Sequence, residues 1–150
     1  MTPKFSLQNV LDIRHGKVEL LEIELGKLQS AYQKTEKLWM ALKEEQASLL
    51  ELLNFAQSGD IDLFQISALR SNILHINERI EDVMLELARQ KREITEKRTN
   101  LVKAKQDEET LEILKKKRYE VYMAEQIRIE ARAQDDIYIA QAFRNQQQGA

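Results

Sequence analysis

The chain contains no cysteine, and only one proline and four glycines in 150 residues. Without cysteine there is no disulfide and no thiolate metal site, which fits a reducing compartment. With so little proline and glycine, few points force a helix to stop. Aromatic residues make up 6% of the chain, and neither sign of charge dominates, since 23 Lys and Arg face 25 Asp and Glu. Bulk electrostatics do not hold such a chain on nucleic acid, because phosphate binding needs cations in excess on one face. No apolar run approaches the roughly 20 residues that cross a bilayer. The opening MTPKFSLQNVLDIRHGK has no apolar signal-peptide core. These absences predict a soluble, cytoplasmic protein with no membrane insertion.

What is present is helical. Charged residues reach 32% and apolar residues 43%, a composition of long helices that bury one side. Pro3 is the only proline, Ser6 is a candidate N-cap, and QSGD at 57–60 is the first clear break. There Gly59 can take a left-handed conformation and Asp60 can cap the next helix. The length suggests one coiled-coil domain over residues 1–150, with helix 1 at about 6–57, a turn at 57–61 and helix 2 at about 62–145.

Stepping through helix 1 by alternating fours and threes gives Leu7, Leu11, Arg14, Val18, Leu21, Leu25, Leu28, Tyr32, Thr35, Trp39, Leu42, Gln46, Leu49, Leu53 and Ala56. Twelve of the fifteen are apolar. A heptad stripe this long calls for a helical partner. Helix 2 opens with Ile66, Leu69, Ile73, Ile76, Ile80, Val83 and Leu87 on one stripe. Gln90, Lys97 and Glu108 then interrupt it among Ile94, Leu101, Ala104 and Leu111. A short turn makes consecutive helices antiparallel neighbours, so the expected fold is an all-α hairpin. Pairing about Gly59 sets residue 7 against about residue 111. The last thirty or so residues then form a helical overhang, with KKKR (115–118) at its root. The overhang carries Tyr119, Val121, Tyr122, Met123, Ile127, Ile129, Ile137, Ile139 and Phe143 on several faces. An isolated helix needs a packed face to be stable, which points to a protein partner or a second copy of the chain.

The KKKR run has three readings: a solvated helix surface, a contact for a protein partner, or a nucleic-acid patch. Asp107, Glu108, Glu109 and Glu112 lie nearby and would repel phosphates. Tyr119 and Tyr122, three apart, can stack on bases or together cover an apolar patch. His15 and His75 read as lone histidines, with no second histidine at metal-ligand spacing, so no metal site is expected. Trp39 reads as core. Four scattered glycines form no phosphate loop or dinucleotide fingerprint, and HExxH and GxSxG are absent. Neither an enzyme nor a bound cofactor is expected.

FSLQNVLDIR, residues 5–14, resembles the opening of the FliJ family of flagellar proteins. Its aromatic-x-Leu-Gln-x-hydrophobic-Leu-Asp-hydrophobic-Arg pattern is carried here by Phe5, Leu7, Gln8, Val10, Leu11, Asp12, Ile13 and Arg14. Toward the other end Tyr122, Glu125, Asp135, Asp136 and Ala140 are similar to the family's close. The resemblance covers nearly the whole chain. It implies a central stalk that inserts its paired helix ends into a hexameric ATPase ring, links the ring to a membrane export gate and handles substrate chaperones. It leaves open which machine is served, flagellar, injectisome or pilus. The partner-binding set it suggests is Phe5, Leu7, Leu11, Arg14, Lys115, Lys116, Lys117, Arg118, Tyr119, Tyr122, Glu125, Arg128, Arg132 and Asp136, with the basic run meeting acidic loops of the ring or gate. The alternative is a coiled-coil scaffold that self-associates through its arm as a homo-oligomer.

Overall fold

The computed structural model describes residues 4–149, and Pro3 lies outside them. Two helices, α1 (Gln8–Ala56) and α2 (Leu63–Gln148), pack against each other as an all-α hairpin. The heptad stripe of α1 faces inward along its length, since each of the fifteen positions from Leu7 to Ala56 is buried or half-buried. The same holds in α2 from Ile66 to Leu111, including the interrupting Gln90, Lys97 and Glu108.

The turn differs from the expected one in its capping residue. Asp62, not Asp60, caps α2: its Oδ1 accepts the amides of Phe64 (3.0 Å) and Gln65 (3.4 Å). This is the side-chain bond that satisfies the free first-turn donors of a helix. Gly59 has φ +85°, the left-handed conformation that lets the chain leave α1. The Ser58 hydroxyl closes that helix end by donating to the Phe55 carbonyl at 2.9 Å. Asp62→Ala is therefore expected to lower stability by about 1 kcal/mol, whereas Asp60→Ala leaves it unchanged. Thermal melts of the two variants check this, and equal melting would place the cap elsewhere.

The start of α1 also departs from expectation. Helix begins at Gln8, and the Leu7 carbonyl accepts the Leu11 amide at 2.9 Å. Ser6 is not used as a cap; its hydroxyl accepts a bond from Arg118 at 2.7 Å.

Contacts divide the chain into two compact units. In Glu19–Lys103 the best-buried cluster is Leu42, Ile76 and Ile80, with Trp39, Leu49 and Val83 packed on it. Burying each such aliphatic side chain contributes about 1.5–3 kcal/mol. Trp39 is thus core, as expected, with the Lys43 ammonium 5.6 Å from its ring centroid. Two of the polar stripe positions, Gln46 and Lys97, meet polar partners across the seam. Gln46 donates to Asn77, and Lys97 reaches Glu24 at 2.8 Å. On the solvent side Arg89 bridges Glu86 and Glu93. The Arg89 hydrogen bond holds the Glu86 carboxyl below its usual range, but an exposed pair of this kind contributes little to stability.

Gly26 lies mid-helix with open space where a Cβ would stand, and so does Gly16 of the other unit. Gly26→Ala should then raise stability by about 1 kcal/mol through helix propensity alone. A denaturant midpoint that does not rise would mean the position meets something in solution.

Candidate partner-binding end

The second unit joins the described residues up to Val18 with α2 from Ala104 onward. Its pairing is antiparallel. Arg14 Nη1 meets Asp107 Oδ2 at 3.1 Å, His15 Nδ1 meets Glu108 Oε1 at 2.7 Å, and Ser6 meets Arg118. A carboxylate only accepts, so the proton of the short His15 contact is carried by Nδ1.

These pairs correct the sequence reading in three ways. First, residue 7 lies about one helical turn further along α2 than residue 111. The turn is centred later than Gly59, because α2 waits for Asp62. Second, 115–118 is therefore not the root of an unpaired overhang but lies beside residues 4–9. The Arg118 guanidinium sits 5.4 Å from the Phe5 ring centroid while donating to Ser6. Third, His15 does have a carboxylate neighbour, supplied by the other helix. Among the described residues no group of His, Asp and Glu is arranged to hold a metal ion, and no helix is long and apolar enough to cross a membrane.

Asp107 and Glu108 also change meaning. Asp107 is turned to the Arg14 guanidinium and Glu108 to the His15 ring, so residues 103–110 (KAKQDEET) contribute to the pairing. Ala104, in the same segment, is buried. The repulsion of phosphates expected from this acidic stretch is weakened where Arg14 meets Asp107.

Lys4, Phe5, Lys115, Arg118 and Tyr119 line an open groove of about 210 Å³. A second groove beside it adds Ser6, Gln8 and Asn9. Four residues of the expected partner set thus come together: Phe5, Lys115, Arg118 and Tyr119. Lys116 and Lys117 are exposed next to them. Leu7 and Leu11 are seam residues, half-buried and buried, and Arg14 is engaged by Asp107. Tyr122 is half-buried while Tyr119 is 45% exposed. Glu125 and Arg128 pair with each other at 3.8 Å, and Arg132 and Asp136 lie exposed further along α2. Lys4, Ser6, Asp107 and Glu108 belong to this end too, but no motif marks them. Only the correct register of α2 against α1 would have found them.

Beyond Tyr122, α2 exposes Met123, Ile127, Ile129, Ile137, Tyr138, Ile139 and Phe143. At 100° per residue these point to several sides of the helix rather than to one stripe.

The class these features define is a two-helix coiled-coil hairpin with a cationic, aromatic groove and a helical arm that exposes apolar residues on several sides. A family model described as "Flagellar FliJ protein" matches residues 3–148, nearly the full length. The chain belongs to the FliJ family. Comparisons with curated proteins and with solved structures gave no significant match.

Proposed function

We propose that this chain is a non-enzymatic component of the flagellar export machinery, acting as the stalk of its hexameric ATPase. The arm of α2 beyond Tyr122 enters the ring, and the groove at Phe5, Lys115, Arg118 and Tyr119 meets acidic loops at the ring or the export gate. The protein works in the cytoplasm, with any hydrolysis carried out by the ring.

The observation that carries this reading is the arm. A helix that is apolar on one stripe packs on one partner surface, but a helix apolar on several sides needs cover from several sides. The lumen of a ring supplies such cover, and family membership supplies the machine in which to look for it.

The test is ATPase stimulation. The purified chain is added to the flagellar export ATPase of the same cell, beside a version ending at Glu120. The full chain should bind substoichiometrically and raise the rate. The shortened chain should not, although its Glu19–Lys103 hairpin melts normally. Absence of both binding and stimulation by the full chain would end the stalk reading. A homo-oligomer that dissociates when the arm is removed would favour the self-associating scaffold.

A further inference from the structure

The turn of the hairpin is the opposite in character of the groove at residues 4–5 and 115–119. No Lys or Arg occurs between Lys43 and Arg70, while Glu44, Glu45, Glu51, Asp60 and Asp62 do. Within this stretch the turn exposes Phe55, Ile61, Leu63 and Phe64; Leu63 is 78% and Phe64 84% accessible. The turn is thus an aromatic and aliphatic cap edged only by carboxylates. The groove has Phe5 and Tyr119 as its apolar walls and Lys4, Lys115 and Arg118 as its rim, with Lys116 and Lys117 close by. Glu112 and Glu120 flank it along α2, and cations still outnumber them.

We propose that the turn of one copy docks in the groove of a second copy. Phe64 and Leu63 would seat against Phe5 and Tyr119, and Glu51 and Asp60 would face Lys4 and Lys115. Each surface supplies what the other lacks, both in charge sign and in apolar area. An anionic membrane is a poor alternative occupant of the turn, since carboxylates and lipid headgroups repel. The contact is heterologous, one patch meeting a different patch. It is also small beside the roughly 1,200 Å² that stable interfaces bury, so it is weak and concentration-dependent. In the cell it would occupy the groove until the stalk's proper partner displaced it.

Sedimentation equilibrium of the purified full chain tests this without any ATPase, so its outcome is separate from that of the stalk reading. At low salt, where the Debye length is about 30 Å at 0.01 M, the weight-average mass should rise with concentration above the 17.6 kDa of one chain and, because each docked pair leaves one turn and one groove free, should not level off at twice that mass. At 1 M salt, where it is about 3 Å, the mass should return to that of one chain. Phe64→Ala changes no charge and alters a side chain that is 84% accessible, and it should abolish the rise. A turn-reversed variant (Glu51→Lys with Asp60→Lys) and a groove-reversed variant (Lys4→Glu with Lys115→Glu) should each stay single, and their equimolar mixture should associate. Circular dichroism confirms that each variant remains folded. A single-chain mass at every concentration in low salt overturns the proposal. So does association that survives Phe64→Ala, or a mixture of the reversed variants that stays single.

Discussion

Ile76→Asp is expected to unfold the Glu19–Lys103 hairpin at temperatures where the unaltered chain is fully helical. Ile76 is 4% exposed and sits with Leu42 and Ile80 in the best-buried cluster of the seam. The substitution removes the packing of a core aliphatic, which by itself costs about 2–5 kcal/mol. It also places a carboxylate among aliphatic side chains, which adds a desolvation cost. The sum is a large part of the roughly 5–15 kcal/mol by which domains are stable. Leu74→Asp is the matched control, two residues away and 64% exposed, and should change stability by no more than about 0.5 kcal/mol. Melting followed by circular dichroism reads both. If the two variants melt together, the seam has been assigned to the wrong face.

Reversal of Lys115, Lys116, Lys117 and Arg118 to Glu should have the second large effect, and it should be split. The Glu19–Lys103 unit contains none of these residues and should melt as before. At the other end, Arg118 loses both the Ser6 hydroxyl and the Phe5 ring, so the segment before α1 is released. Hydrogen exchange at Gln8 and Leu11, whose amides are held by Phe5 and Leu7, should speed up. On the stalk function proposed above, binding to the ATPase should be lost with it. Sequence reasoning alone expects the reversal to spare folding throughout, because it treats the run as free of α1. Arg118→Lys is the finer probe. It keeps the charge but loses the planar fork that can donate to Ser6 while lying over Phe5, and should give partial release. Unchanged exchange in the fourfold variant would show that the run does not hold the N-terminal segment.

The hairpin was legible because heptad spacing is a strong signal and the breaker at Gly59 is isolated. The register was not. Two acids, Asp60 and Asp62, both stand near the break with cap chemistry. Choosing the first over the second moves the start of α2 and with it the pairing at the far end of both helices. Everything misread there follows from that shift: the position of KKKR, the apparent solitude of His15, and the roles of Asp107 and Glu108. Pairing between distant residues is not written in local spacing. The interruptions at Lys97 and Glu108 looked like a thinning seam for the same reason, since their partners Glu24 and His15 lie on the other helix. Of the groove, Phe5, Lys115, Arg118 and Tyr119 could be named from the sequence, but their meeting could not.

The polar pairs within the Glu19–Lys103 seam bear on how the hairpin takes a load. A purely aliphatic stripe repeats itself every heptad, and one helix can slide along the other by seven residues and find similar packing. Here such a slip would set Asn77 against Trp39 or Leu53, where no amide waits. It would set Lys97 against Lys17 or Ala31, one repulsive and the other empty. Both pairs are only half-buried, so each lost partner costs about 0.5–1 kcal/mol, and both pairs are lost in the same step. Gln46 with Asn77 and Lys97 with Glu24 therefore act less as adhesive than as stops against lengthwise shear. A push or twist applied at one end is passed along as movement of the whole pair rather than dissipated as slippage between its helices.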